Sequence, residues 1–306
     1  MIFGMVALTL VGLSWTVVGI VMGQAPRRQI DPGLILFCGA AVAIFASLAI
    51  LTFTKTDAVG GMAEMLTCLA YLAGGVLNYW LLHLMSRAMQ LGPNGVVWTM
   101  VQSAMIFPFL TGIVFFGEKL TVCRAAGLGL ILVALVLFGL AKDNTVNRTG
   151  RWRLLAFAAF LLAGIQQNCT TLPSYFPAAR TVSSLVRLGA AGTGTFVAAL
   201  AGLLYGMNRE RYREFLGMMR MKALWIYVFS LQFFSLVFAA TLFYPGMDAL
   251  ARAGAGAVSV PLLVGSCIIG FALYSILILR EKTSVLQVVA VICCLAGIVG
   301  ICCNSI

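Results

Sequence analysis

Residues 85–141, MSRAMQLGPNGVVWTMVQSAMIFPFLTGIVFFGEKLTVCRAAGLGLILVALVLFGLA, form two apolar segments hinged on one charged elbow, Gly117-Glu118-Lys119-Leu120-Thr121. Adding 163 to each number returns the pattern: 248–304 is again mostly apolar around Arg280-Glu281-Lys282-Thr283-Ser284. Glu118/Glu281, Lys119/Lys282, Ser103/Ser266 and Val122/Val285 fall in register without a gap. A period this long is no solenoid repeat; it points to a duplicated half.

Composition sets the solvent. Hydrophobic residues make up 62% of the chain and charged residues 9%, with a mean hydropathy of +1.04. A soluble domain carries roughly 25% charged residues, so this chain cannot coat a globule with polar side chains and reads as a multispanning membrane protein. The net charge of +11 is spread over short loops without an attached soluble domain. That pattern suits an anionic leaflet and argues against nucleic acid as a partner. The nine cysteines, Cys38, Cys68, Cys123, Cys169, Cys267, Cys293, Cys294, Cys302 and Cys303, lie in or beside apolar runs and form no paired C-x-x-C motifs. They read as buried free thiols, with no metal or other cofactor implied.

A helix needs about 20 apolar residues to cross a bilayer core. On that rule the spans are 2–22, 34–53, 64–89, 96–116, 122–140, 154–171, 181–205, 224–250, 255–279 and 285–303, all helical. The first lacks a basic leader and a cleavage site, so no signal peptide is expected. The polar stretch 142–153 reads as a cytoplasmic linker between a first repeat, 1–141, and a second, 154–306. Residues 208–222 read as a basic loop. Five spans per half enter the membrane from opposite sides, which predicts an inverted repeat with a site at its interface near the midplane.

Polar side chains inside a bilayer are costly unless they face a cavity, a partner or the headgroups. Gly75, Tyr79, His83 and Arg87 recur every four residues as one polar stripe with Asn78 alongside. Asn78 and Tyr79 are candidate pocket residues, with helix-to-helix hydrogen bonding as the alternative. Arg87 reads as snorkelling to the interface. His83, the only histidine, is a candidate proton carrier or a satisfied core residue. Trp98 and Gln102 lie one turn apart and suit a sugar, ring against C–H faces and amide against hydroxyls, although Trp98 also fits an interfacial belt. Gln166, Gln167 and Asn168 cover about 200° of a helix, so lipid cannot face all three. Gln232 is the isolated polar group of the eighth span, with Tyr244-Pro245-Gly246 a predicted kink that makes Tyr244 a candidate. Trp15 completes the substrate-binding set. Asp248 is a candidate for proton coupling or a helix-end partner of Arg252. Glu118 and Glu281 read as structural anchors at the membrane edge.

Two five-helix halves, each with the Glu-Lys elbow before a last helix rich in small residues, resemble the drug/metabolite transporter superfamily, and Phe116-Gly117-Glu118-Lys119-Leu120-Thr121 is the best local match. Asn78-Tyr79, Leu231-Gln232-Phe233-Phe234 and the basic loops further resemble its rhamnose–proton symporter and sugar-uptake branch. The superfamily implies alternating access around a central pocket in a plasma (inner) membrane protein. The branch implies proton-coupled uptake of a sugar or polyol, by a monomer or homodimer. Export or exchange of amino acids, nucleosides or other metabolites is the alternative within the superfamily. A channel or a membrane-embedded scaffold or receptor is the alternative outside it. One histidine and no intramembrane carboxylate pair argue against an enzyme, so no catalytic residue is assigned.

Loops after odd-numbered spans hold fourteen Lys and Arg residues, and the other side holds six, Lys55, Lys119, Arg124, Arg180, Arg187 and Arg252, all read as loop charges. The positive-inside rule therefore places both termini outside the cytoplasm. A reporter fused after Ile306 should behave as extracytoplasmic; an active cytoplasmic fluorescent fusion there would reverse the orientation.

Overall fold

The computed structural model describes residues 1–54, 61–140, 150–205, 207–280 and 284–302, and among these there is helix but no strand. The chain is an all-helical, multi-pass membrane protein. In order the helices are α1 (Ile2–Gln24), α2 (Pro32–Thr54), α3 (Met62–Leu91), α4 (Asn94–Phe116), α5 (Val122–Leu140) and α6 (Arg151–Thr171). Then follow α7 (Ser184–Leu204), α8 (Arg209–Met219), α9 (Lys222–Arg252), α10 (Gly256–Leu279) and α11 (Val285–Cys302). Eight of these are long and apolar enough to span a bilayer, and α5 and α11 are two further apolar helices of 19 and 18 residues. Large apolar side chains point outward along them, Phe45 at 73% exposure, Phe53 at 87% and Phe115 at 77%. Water would penalise that surface, whereas hydrocarbon does not.

Local sequence explains the breaks. Gly92 is extended at the end of α3 and Pro93 fixes the extended residue before Asn94, so α3 and α4 are joined by two residues. Ser183 is the N-cap of α7, its hydroxyl accepting from the Val186 N–H at 3.2 Å. This cap moves the start of that span from the expected 181 to Ser184. Pro108 has no N–H for the Ala104 carbonyl, and the turn before it tightens to a 3₁₀ helix at Ser103–Met105. Pro245 has the opposite outcome. A nine-residue stretch ending two residues before it, Ser235–Phe243, widens into a π-helix, so the feature predicted at Tyr244-Pro245-Gly246 lies N-terminal to it and α9 runs on through it.

One expected loop is a helix. Residues 209–219 form α8, capped by Asn208, whose side chain accepts from the Arg211 N–H at 2.8 Å. The eight described cysteines are free; Cys38, Cys267 and Cys294 are buried, but Cys123 is exposed. Glu281-Lys282-Thr283 of the second elbow, residues 142–149 of the linker and Cys303 lie outside the described residues.

Small residues set the closest helix contacts. α3 lies between α6 and α7, α1 runs along α10 and the second half of α9, α2 packs on α7, α4 on α6, and α5 on α11. A Cβ at Gly75 would sit 2.0 Å from the Ala191 carbonyl oxygen, and one at Gly194 would sit 2.0 Å from that of Leu72. The α3 and α7 backbones therefore touch directly, as small residues permit where no hydrophobic effect drives association. Gly127 and Gly297 do the same for α5 and α11, with built Cβ distances of 2.4 and 2.6 Å to the opposing carbonyl oxygens.

Gly75→Leu should separate α3 from α7. Because the obstacle is backbone, the cost should be about 1–3 kcal/mol or more. Thermal unfolding in detergent, read by size-exclusion fluorescence, should show this, while Gly129→Leu, where a Cβ meets nothing, should leave the transition unchanged.

Candidate functional site

Successive helical residues are about 100° apart, and that divides the polar stripe of α3. Asn78 turns into the bundle, where it lines a central cavity of about 240 Å³. Tyr79 turns toward α7. It is 3% exposed, its ring lies against Gly202 and its hydroxyl comes near Gly33, so it does not line the cavity. Gly75 faces α7 as described, while His83 and Arg87 lie in a separate vestibule.

Five helices bring these candidates together. Trp15 of α1, Asn78 of α3, Trp98 and Gln102 of α4, Gln166 and Gln167 of α6, and Gln232 and Tyr244 of α9 all line the one cavity. Trp98 is 1% exposed and packs on Phe271 at 5.1 Å between ring centroids. It is an internal residue, not part of an interfacial belt. Trp15 is set against Phe243 at 5.4 Å. The side-chain oxygens of Gln167 and Gln232 are buried with no hydrogen-bond partner among the described residues. Unpaired amide oxygens in an apolar bundle cost about 1–3 kcal/mol each, which a polar guest or water in the cavity would offset. Asn168 does not line the cavity.

Ser235, Thr170 and Thr195 also line it. The sequence reading missed them because a hydroxyl can bond its own helix: Thr195 donates to the Gly75 carbonyl at 3.0 Å and to that of Ala191 at 3.1 Å.

Antiparallel succession of the spans puts Met1, the 117–121 elbow and the end of α9 on one face, here called the N-terminal face. Two polar ties close this face. In the first, Arg187 of α7 and Asp248 of α9 form a two-pronged ion pair, Nη1 to Oδ1 at 3.1 Å and Nη2 to Oδ2 at 3.0 Å. Arg187 is 1% exposed; it donates further to the carbonyls of Val182 at 3.0 Å and Ala179 at 2.9 Å, and its cation lies 5.7 Å from the Tyr244 ring centre. Tyr244, the cavity residue, meets Tyr71 edge-on at 5.3 Å. Asp248 thus pairs with Arg187 and not with the exposed Arg252, and Arg187 is no loop charge.

In the second tie, Glu118 Oε1 accepts from the Tyr175 hydroxyl at 3.1 Å and from the Ala257 N–H at 2.8 Å. One carboxylate therefore joins the ends of α4 and α6 to the start of α10. Burial pushes the Glu118 carboxyl above its ordinary value, against the pull of these donors and Arg124. Phe116 stacks on Tyr175 at 3.9 Å. Pro173 falls in the 3₁₀ turn Leu172–Tyr175 that carries this tie, so the break it makes in α6 serves closure and lies outside the cavity.

The opposite face holds the vestibule, about 730 Å³, lined by Gln29, Asp31, His83, Ser86, Arg87 and Glu214 among others. One face is thus cross-linked by two polar ties and the other has a wide polar recess, with amides and aromatic rings between them.

Residues 2–140 match the EamA-like transporter family. No curated protein matches the chain. A solved crystal structure is similar over 96% of this chain and 95% of its own, with a TM-score of 0.60 and 15% identity, a likeness of fold alone.

The ion pair generates a stability test. Removing one partner of a buried pair strands the other charge, at a cost of about 3–5 kcal/mol, whereas an apolar replacement of both is far milder. Asp248→Leu and Arg187→Met should each lower thermal stability sharply, and the double variant should recover much of the loss. Additive losses would show that the two side chains act independently.

Proposed function

We propose that this protein is a secondary transporter, not an enzyme, that moves a small uncharged polar solute, with a sugar or polyol as the best fit, by alternating access. The observation that carries this reading is the convergence of Asn78, Gln102, Gln166, Gln167 and Gln232 with Trp15, Trp98 and Tyr244 on one internal cavity whose lining holds no charged side chain among the described residues. Amides both donate and accept, so they match hydroxyls in either sense, and aromatic faces cover the apolar C–H surface of a ring. An organic cation would want a carboxylate, and among the described residues none lines this cavity. The volume, about 240 Å³, lies below the roughly 300–1,000 Å³ of pockets for drug-sized ligands and suits a single-ring solute. The family match over the first half supports the transporter class.

The rest of the proposal concerns how the halves work. We take 1–141 and 154–306 as inverted repeats joined by a cytoplasmic linker at 142–153. Supporting this, the pairings exchange as such a repeat requires: α1 with α10 answers α4 with α6, while α5 meets α11 and α2 meets α7. The N-terminal face is closed in this state and the opposite face is the recessed one; the cycle breaks the two ties and closes the vestibule. Inward movement is driven by protons across the inner membrane, with His83 in the vestibule and Asp248 in the tie as the candidate coupling residues.

Purified protein in liposomes with an inward proton gradient should accumulate a labelled monosaccharide or polyol from a panel that also includes amino acids and nucleosides. Gln102→Leu and Asn78→Leu should each lower uptake about 5- to 150-fold, in keeping with a lost hydrogen bond that leaves a buried polar partner (about 1–3 kcal/mol), with normal membrane insertion. Accumulation of amino acids or nucleosides instead would reassign the substrate. Unchanged uptake in both variants would remove the cavity from the mechanism.

A further inference from the structure

The helix that the sequence presents as a basic loop has a segregated surface. On a wheel of 100° per residue, Tyr212, Leu216, Arg209, Arg220 and Arg213 fall in one contiguous sector, and Glu210, Glu214 and Gly217 fall in another. The structure uses the two sectors differently. Glu214, Gly217 and Met218 line the vestibule opposite Asp31, His83 and Arg87. Phe215, Met218 and Met219 pack on the bundle, where Cys38 lies 3.7 Å from the Met219 sulfur and the Trp225 indole N–H donates to the Met219 carbonyl at 2.9 Å. The remaining sector is outward: Tyr212 is 53% and Leu216 41% exposed, with Arg209, Arg213 and Arg220 exposed beside them.

The position of α8 says what that sector meets. It joins α7 to α9, both long enough to span the bilayer, so it lies where the hydrocarbon core ends. Tyr205, immediately before it, is 85% exposed. Two tyrosines and a leucine among arginines form the lining of an interfacial helix: the apolar groups enter the acyl boundary and the cations stay at headgroup level. Between 208 and 222 there are five basic residues, Arg209, Arg211, Arg213, Arg220 and Lys222, against two acidic ones, Glu210 and Glu214, a net charge of +3. We infer that the outward sector of α8 is a docking surface for the headgroups of anionic phospholipids, and that these lipids hold in place the helix that forms one wall of the vestibule. The inference does not depend on what the central cavity carries.

Protein in neutral micelles doped with phosphatidylglycerol or with phosphatidylcholine tests this by thermal shift and by lipid retention in native mass spectrometry. The wild type should prefer phosphatidylglycerol. The preference should fall about fivefold in Arg213→Gln, as expected for one charge near an anionic surface, and disappear when Arg209, Arg213 and Arg220 are all replaced by Gln. Replacing the same three by Lys should preserve it, and so should Arg27→Gln, an exposed cation on the same face but off the helix. Equal shifts with the two lipids, an unchanged preference in Arg213→Gln, or an equal effect of inorganic phosphate would each overturn the inference. The single variant keeps the test decisive if the triple glutamine variant fails to fold.

Discussion

Hydrocarbon cannot hydrate an amide, and that constraint arranges the interior of this protein. Every polar side chain in the spans has three outlets: its own helix backbone, a partner on another helix, or an enclosed polar space. The serines and threonines mostly take the first, Thr99 bonding Gly95 and Ser103 bonding Thr99. Arg187 and Asp248 take the second. Asn78, Gln102, Gln166, Gln167 and Gln232 take the third and line the cavity.

The tightness of the bundle is uneven. α3 and α7 meet backbone to backbone at Gly75 and Gly194, whereas α2 and α9 meet where Gly39 faces the end of the Gln232 side chain. A carbonyl against a glycine has nowhere to go; an amide at the end of a flexible chain has alternative rotamers. The α2–α9 contact is therefore the softer of the two, and it lies beside the cavity. Both ties of the N-terminal face combine few groups with many bonds: one guanidinium reaches three residues and one carboxylate oxygen accepts two donors.

Much of this architecture was legible because the membrane simplifies the code. Hydropathy located the spans, and Trp15, Gln102 and Gln232 stood out as isolated polar or aromatic residues in apolar runs. What periodicity could not resolve was direction. Asn78 and Tyr79 are neighbours in sequence, but one turn of about 100° sends the first to the cavity and the second to α7. Arg187 was counted as a loop charge because nothing local ties it to Asp248, 61 residues away. α8 passed for a loop because its arginines and glutamates masked a wheel pattern only eleven residues long.

The π-helical stretch of α9 changes how positions on that helix must be counted. Its cavity-lining residues Gln232, Ser235, Ala239, Phe243 and Tyr244 include the run 235, 239, 243, a strict step of four. In an ordinary helix each such step drifts by about 40°, which would carry the third member well off the wall. The widened turns rotate the chain less per residue and reverse the sense of that drift, and all three side chains line the cavity. A scanning experiment read on a 3.6-residue wheel would consign part of this run to lipid; counted in fours, it stays a single wall.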